Sequence, residues 1–256
     1  MIIDAHAHLG PSFATRPAFL PAVKPEEVIA ILDRSGIDRA CVFAAAWEGP
    51  EFTDPYYERG NEAVAEAVRR YPDRLIGYCR VDPNWTRQAV REMERGRRDF
   101  GFRGLKLHPL WEHFWSSNLK ILRPVFELCR EYRWPVFFHA GYYPTCQPAL
   151  FVGLAKAFLD VPIILAHLAY AHTADAIVVA KRHPNIYLET SANSSSPAIA
   201  ETLKRVGPDQ VLYGSDLPFT EPRDVMAKIK AAPGITAEAL RKIMGGNMAR
   251  LLGEAQ

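Results

Sequence analysis

The sequence predicts an α/β fold of the (β/α)8 barrel type, also called a TIM barrel. Eight apolar segments of strand length alternate with helical patterns over 256 residues, and such barrels typically need about 250 residues. The segments are apolar along most of their length, which indicates a parallel sheet covered by helices. An open doubly wound sheet is the alternative, but it rarely needs eight such units and the sequence shows no glycine-rich phosphate turn. We therefore expect a single barrel domain, residues 1–256.

The predicted strands are short apolar runs, and each is followed by a helical spacing of apolar residues. In chain order the strands are expected at Met1–His8, Ala40–Ala46, Leu75–Val81, Phe102–His108, Pro135–His139, Val161–His167, Asn185–Thr190 and Gln210–Asp216. The first helix begins at Pro25, followed by two glutamates, because a helix start favours proline and acidic residues. The later helices are expected around Tyr56–Tyr71, Trp85–Arg98, Leu119–Tyr132, Ala149–Leu159, Ala174–Arg182, Ala198–Val206 and Pro222–Ala231, with a last stretch from Ala237 to Leu252.

The composition is that of an ordinary globular protein. Apolar residues make up 48% and charged residues 23% of the chain, and the net charge is +2, so we expect neither nucleic acid nor a membrane as a partner. The four cysteines are widely separated and form neither a zinc-finger spacing nor a disulfide framework. The start lacks a signal-peptide pattern, and no apolar run reaches transmembrane length. These features predict a reduced, cytoplasmic protein.

The first strand carries polar residues at every second position, Asp4, His6 and His8. A strand alternates its faces with a period of two, so these side chains are expected on one face, where two imidazoles can bind one ion. The alternative is that each histidine is a satisfied core or turn residue. A pattern along the chain favours the functional reading, because polar residues close several of the predicted strands: His6, His8, Lys106, His108, His139, His167 and Asp216. Barrel active sites lie at these carboxyl ends.

Neutral imidazoles with one carboxylate suit a divalent metal. Zn²⁺ is the first expectation, and Mn²⁺, Fe²⁺ or Co²⁺ fit a more open geometry. A catalytic zinc keeps a coordination position for water and lowers the pKa of that water to about 7. We expect Asp216 to accept the proton of this water.

Six motifs together resemble those of the amidohydrolase superfamily. They are Asp4-Ala-His-Ala-His8, Gly104-Leu-Lys-Leu-His-Pro109, Pro135-Val-Phe-Phe-His-Ala-Gly141, Ile164-Leu-Ala-His167, Tyr213-Gly-Ser-Asp-Leu-Pro218 and Gly245-Gly-Asn-Met-Ala-Arg-Leu-Leu252. The resemblance spans the chain and is strongest to the amidohydrolase-related branch that includes the aminocarboxymuconate-semialdehyde decarboxylase-like proteins. A histidine pair alone is a weak signal, whereas the ordered set from four strands is specific.

The resemblance implies a metal bound by His6, His8, His139 and Asp216. It implies that His167 is catalytic, polarises the substrate or binds a second metal. Binuclear members carry a carbamylated lysine on the fourth strand, which Lys106, near His108, could supply. The alternative is that Lys106 stays a free ammonium and binds a substrate carboxylate. A buried cation facing a metal needs an anionic partner, which substrate could provide.

The loops after the strands suggest substrate contacts. Trp111, Phe114 and Trp115 follow the fourth strand, Tyr142 and Tyr143 the fifth, and Phe13 and Arg16 the first. Such residues suit a flat or apolar substrate with an acidic group, although aromatic residues also pack loops onto a barrel rim. Glu189 and Ser191 share a face at the end of the seventh strand, where they would contact substrate or support a ligand histidine.

The resulting functional hypothesis is a metal-dependent hydrolase of an amide, ester or lactone bond in a small molecule, carboxylated or aromatic. The first alternative is a metal-dependent, non-oxidative decarboxylase of an aromatic or unsaturated carboxylic acid, in which His167 or Asp216 delivers a proton to carbon. The second alternative is a barrel that binds a ligand without catalysis. Homo-oligomerisation is left open.

Overall fold

The strands lie side by side in chain order, and every strand pairing within the described residues is parallel. The computed structural model describes residues 1–10, 24–45, 54–192 and 194–254. The strands are β1 Ile3–Leu9, β2 Arg39–Ala44, β3 Leu75–Gly77 with Cys79–Arg80, β4 Leu105–Leu107, β5 Val136–Phe138, β6 Ile163–Leu165, β7 Ile186–Glu189 and β8 Val211–Leu212. The interruption of β3 separates a sheet of β1, β2 and the first part of β3 from a sheet that runs from its second part to β8.

Backbone hydrogen bonds connect the first strand to the last part of the ring. The Ala5 N–H donates to the carbonyl of Tyr213 at 3.0 Å, and the His8 N–H donates to the carbonyl of Leu217 at 2.7 Å. No regular ladder joins β1 to β8 within the described ranges, but this contact brings the two edges together. The predicted (β/α)8 barrel is therefore confirmed, with strands shorter than expected.

Helices follow the strands and cover the outside of the sheet. They are α1 Pro25–Ser35, α2 Glu58–Arg70, α3 Thr86–Arg98, α4 Leu119–Tyr132, α5 Val152–Ala157, α6 Thr173–Arg182, α7 Ser196–Val206, α8 Pro222–Lys230, α9 Ala237–Arg241 and α10 Asn247–Leu251. The helix expected after β5 begins as a 3-10 turn at Pro148–Phe151 and continues as the short α5. Among the described helices, none combines the length and apolar character that a membrane span requires.

Two apolar clusters hold these layers together. The larger one lies between the strands and the helices and includes Val42, Phe126 and Phe138. The smaller one fills the barrel interior and includes Phe43 and Phe137. Because the interior is packed with side chains, polar groups collect at the carboxyl ends of the strands, as in other barrels of this type.

Candidate metal centre

Three ligand-type atoms converge at the carboxyl end of the barrel, two from β1 and one from the segment after β8. His6 Nε2 lies 3.3 Å from His8 Nε2, and Asp216 Oδ1 lies 3.0 Å from the former and 3.1 Å from the latter. These residues are 1%, 4% and 8% exposed, respectively. Ligands about 2.0–2.1 Å from an ion in tetrahedral geometry are roughly 3.4 Å apart. The triangle therefore fits a divalent metal.

A bulge in β1 changes which of its residues share a face. Asp4 pairs with Ala40 and Ala7 pairs with Val42, so β1 has one extra residue between these pairs and its alternation changes phase. The expectation that Asp4 joins the two histidines does not hold. Its carboxylate instead accepts hydrogen bonds from Ser215 N at 2.8 Å and Ser215 Oγ at 2.5 Å, and burial raises its pKa to about 6.

The turn that delivers Asp216 depends on a glycine two residues earlier. A Cβ at Gly214 would lie 2.5 Å from Glu189 Oε1 and 2.8 Å from His6 Cβ. Asp216 has a left-handed backbone with φ of 63°, and its N–H donates to the His6 carbonyl at 2.8 Å. The Gly-Ser-Asp run thus brings the carboxylate against the first strand.

Glu189 forms a second group with His6 and His167. It is fully buried, and its Oε2 accepts hydrogen bonds from His6 Nδ1 at 3.2 Å and from the His167 backbone N–H at 3.2 Å. Ligand-type atoms of the three residues lie close enough to hold an ion. Since His6 directs Nδ1 to Glu189 and Nε2 to Asp216, the carboxylate of Glu189 is also suited to orient a ligand histidine.

His139 lies beside His167 rather than in the triangle. His139 Nδ1 is 3.2 Å from His167 Nε2, and the His139 ring stacks on His108 at 4.1 Å. Its Nε2 atom is buried and has no hydrogen-bond partner in the described part of the chain. A buried nitrogen of this kind needs a partner, which a metal or substrate can provide.

The histidines of the site are held in the neutral form. Burial, followed by the charge of Lys106, lowers the pKa of His6 to about 4. Burial lowers the pKa of His8 to about 3. Burial also holds the pKa values of His139 and His167 well below the usual range. Neutral imidazoles keep the lone pair that a metal requires.

Lys106 on β4 is a buried lysine between two aromatic rings. It is 1% exposed, and its Nζ lies 4.7 Å from the ring centres of both Phe43 and Phe137. Within the described ranges it makes no ion pair. Burial, aided by the charge of Arg80, lowers its pKa to about 7. The side chain is therefore prepared for an anion.

A buried ion pair beneath the loop after β4 was missed in the sequence. Arg80 and Glu112 are 0% and 3% exposed, and Arg80 Nη2 lies 2.8 Å from Glu112 Oε1. Tyr57 donates its hydroxyl to the same oxygen at 2.6 Å, and His108 donates its backbone N–H to Glu112. The pair fixes the loop in which Trp111 stacks on His108 at 4.3 Å. An arginine inside an apolar strand was the available signal.

His167 begins a left-handed turn. φ is 62° at His167, 45° at Leu168, 56° at Ala169 and 49° at Tyr170, and such backbone costs other residues than glycine about 1–2 kcal/mol each. Gly141 leaves room for the turn, because a Cβ there would overlap the Ala169 carbonyl. The Tyr170 ring reaches 4.5 Å from that of His167, although no sequence pattern marked this tyrosine.

The predicted aromatic residues divide into two sets. Tyr142 is 66% exposed and its ring contacts Tyr170 at 5.7 Å, and Trp111 is partly buried against the core. Phe114 is buried in the larger apolar cluster, between the strands and the helices, so it packs the loop rather than lining an open pocket. Phe13 and Arg16 lie outside the described residues.

Sequence and structure comparisons relate the chain to known proteins. A family model described as amidohydrolase matches residues 3–253. The 4-sulfomuconolactone hydrolase of Rhizobium radiobacter is 24% identical over 286 residues, which cover 98% of this chain and 89% of that protein.

Two decarboxylase structures resemble the whole barrel. The 2,6-dihydroxybenzoate decarboxylase from Rhizobium has a TM-score of 0.76 at 16% identity, covering 98% of both chains. The 5-carboxyvanillate decarboxylase from Novosphingobium aromaticivorans, with bound manganese and 3-methoxy-4-hydroxy-5-nitrobenzoic acid, has a TM-score of 0.78 at 18% identity. It covers 99% of this chain and 97% of its own. At these identities, the similarity supports the fold.

Proposed function

Because this chain belongs to the amidohydrolase family, whose named relatives are enzymes, we propose that it is a metal-dependent hydrolase of a small anionic molecule. The scissile bond is a C–O or C–N bond of a lactone, ester or amide, with a lactone favoured. The observation that carries this proposal is the buried triangle of His6, His8 and Asp216 at the carboxyl end of the barrel. The enzyme assignment sets aside the non-catalytic barrel.

The residues that would hold the metal are His6, His8, Asp216 and His139. The 3.0–3.3 Å triangle supports the first three. The Nε2 of His139, which has no hydrogen-bond partner among the described residues, supports the fourth. We propose Zn²⁺ because imidazole predominates in the set, with Mn²⁺ as the alternative that the manganese-bound neighbour suggests. When bound, the ion supplies Lewis-acid activation of a carbonyl group and of a water molecule.

Asp216 and His167 are the proposed proton-handling groups. The Oδ1 atom of Asp216 faces both β1 histidines, so its other carboxylate oxygen is the proposed acceptor for the proton of the attacking water. Asp216 then passes this proton to the leaving group. His167 lies outside the triangle, and its Nε2 is the proposed second proton acceptor of the site. The burial of both residues excludes bulk water from these transfers.

Lys106 is the proposed contact for an acidic group of the substrate. Its ammonium lies against two aromatic faces and forms no ion pair with the residues that the structure describes, so a substrate carboxylate or sulfonate would supply a paired negative charge. The name of the curated relative, a sulfomuconolactone hydrolase, favours an anionic lactone. Trp111, Tyr142 and, beyond the described residues, Arg16 are the proposed additional substrate contacts, with His108 holding the Trp111 ring.

Non-oxidative decarboxylation is the second candidate. Two structurally similar proteins are named decarboxylases. The proposed binding of a substrate carboxylate by Lys106 also suits an acid that loses CO2. Product analysis separates the reactions, because hydrolysis takes up water and releases no CO2. CO2 release without water uptake would refute hydrolysis.

The compartment is also a proposal. All four cysteines are free and buried, which fits the reducing cytoplasm that we propose.

Metal content per chain tests the proposal most directly. The protein is purified without chelator and analysed by mass spectrometry beside Asp216→Asn and Lys106→Ala, with the exposed Asp224→Asn as control. We expect about one ion per chain, lost or weakened in Asp216→Asn and retained in Lys106→Ala. Two ions that fall to one without Lys106 would indicate a carbamate bridge. No metal in any preparation would refute the mechanism.

A further inference from the structure

We propose that Glu189 and Ser191, at the end of β7, are positioning residues that set the ring tautomers of His6, His167 and His139. Each of these histidines then has a bare Nε2 atom. This inference rests on the proposed metal-dependent function and adds how the chain prepares its imidazoles for it. The tautomers follow from the hydrogen-bond network, taken one residue at a time.

Glu189 starts the network because its carboxylate is surrounded by donors. It receives hydrogen bonds from His6 Nδ1 at 3.2 Å, the His167 backbone N–H at 3.2 Å, Ser191 Oγ at 2.8 Å and the Ser191 backbone N–H. Two of these four donors are backbone N–H groups, which can only donate, so the carboxylate acts here as an acceptor. The hydrogen of His6 is therefore on Nδ1, which leaves a lone pair on Nε2, the atom that faces Asp216.

Ser191 carries the same constraint to His167. Its hydroxyl has one hydrogen, and that hydrogen is directed to Glu189. Ser191 Oγ must then accept from His167 Nδ1, which lies 2.8 Å away. His167 is consequently protonated on Nδ1 and bare on Nε2, so Nε2 is a proton acceptor rather than a donor that polarises a carbonyl.

His139 completes the series. Its Nδ1 lies 3.2 Å from the bare Nε2 of His167, so the hydrogen of His139 belongs on Nδ1. The remaining Nε2 is bare, buried and without a hydrogen-bond partner in the part of the chain that the structure describes. One carboxylate thus determines the ring tautomers of three imidazoles, and the last of them has a lone pair on Nε2 that is suited to a metal.

The local backbone explains why these groups meet. Glu189 and Ser191 are two residues apart, which places both on one face of an extended segment. β6 ends at Leu165, so the His167 N–H is free to reach Glu189 from the left-handed turn. Gly214 supplies the space, since a Cβ there would lie 2.5 Å from Glu189 Oε1.

A direct metal ligand is the competing role for Glu189. Its oxygens already receive four hydrogen bonds, two of them from backbone N–H groups that cannot bind a metal. An ion on Glu189 would need to displace these donors. The positioning role keeps every bond in place, and the arrangement matches the carboxylate–histidine–metal pattern.

The test compares Glu189→Gln and Ser191→Ala with the matched control Thr190→Val. Thr190 is buried between them, and its Oγ1 has no hydrogen-bond partner in the described ranges. Zinc affinity is measured by chelator competition, and histidine tautomers by proton–nitrogen NMR correlations of the ring atoms. The Glu189→Gln change replaces an acceptor oxygen with an amide N–H₂ group that faces a donor, so we expect about 10- to 100-fold weaker zinc binding.

The expected NMR results separate the two variants. In Ser191→Ala, His167 and His139 should show mixed tautomers while His6 keeps its Nδ1–H form. In Glu189→Gln, all three should change, and Thr190→Val should match the wild type in both measurements. Unchanged tautomers and zinc affinity within about 3-fold of wild type in a folded Ser191→Ala or Glu189→Gln protein would overturn the proposal. Loss of one of two bound ions in Glu189→Gln would also overturn it, because Glu189 would then be a ligand.

Neither measurement uses a substrate, which separates this inference from the proposed function. If the tautomers and zinc affinity respond as expected but no lactone, ester or amide is hydrolysed, the hydrolase proposal fails and the positioning role stands. If hydrolysis occurs with unchanged tautomers in both variants, the positioning role fails alone.

Discussion

Replacing Lys106 with methionine should make the metal-free protein more stable, by an amount that depends on pH. The lysine pKa falls from 10.5 to about 7 in the fold, which corresponds to about 5 kcal/mol against the charged form. Because the pKa of Lys106 is lower in the folded state, the protein has its full unfolding free energy above pH 10.5 and loses part of it as the pH falls from there to about 7. Lys106→Met removes this loss, so its advantage over wild type should be about 5 kcal/mol at pH 6 and below about 1 kcal/mol at pH 10.

The assay is urea unfolding of chelator-treated Lys106→Met and wild type at both pH values. Changes in packing shift both measurements together, whereas linkage to Lys106 changes their difference by about 4 kcal/mol. The exposed Lys181→Met is the control and should show no such difference. If the difference in unfolding free energy between Lys106→Met and wild type does not change with pH, the fold already compensates the charge of the ammonium. Lys106 would then be a poor binding group for a substrate carboxylate.

Three further predictions concern the same end of the barrel. In chelator-treated protein, His8→Gln should reduce the loss of unfolding free energy between pH 6.5 and pH 4.5 by about 2 kcal/mol. The folded pKa of about 3 keeps His8 neutral in this range, while the unfolded chain binds a proton. An equal loss of unfolding free energy in both proteins, measured by urea titration, would contradict this. Gly214→Ala should cost about 1–3 kcal/mol in urea unfolding and weaken zinc binding, since its Cβ meets Glu189 and His6, and unchanged values for both would refute the crowding argument. Lys106→Ala should raise KM for a carboxylated lactone at least about 10-fold while leaving a neutral analogue within about 3-fold, and equal effects on both substrates in steady-state kinetics would exclude the proposed ion pair.

The barrel and its family were predictable because their signals are local and repeated. Apolar runs alternating with helical spacing identify the strands, and the confirmed fold follows from their number and order. The position of the polar residues at strand ends also led to His6, His8 and Asp216, which the structure brings together. The single domain, residues 1–256, and the roles of the site residues stay predictions.

The parts that sequence reasoning missed depend on contacts between distant segments. The bulge that separates Asp4 from the histidines arises from pairing with β2, and a period-two pattern cannot reveal it. The Arg80–Glu112 pair joins β3 to the loop after β4, so neither residue alone indicates its partner. Tyr170 reaches the site through a left-handed backbone that none of its residue types favours.

The bulge in β1 also gives the two halves of the strand different roles. Its first half contributes Ile3 and Ala5 to the barrel interior, whereas its second half carries the two histidines at the catalytic end. Because the extra residue shifts the alternation of the side chains, the packing of the first half does not determine the direction of the side chains in the second half. Thermostability can therefore be engineered at Ile3 and the chemistry of the site at the two histidines, although all three residues belong to the same short strand.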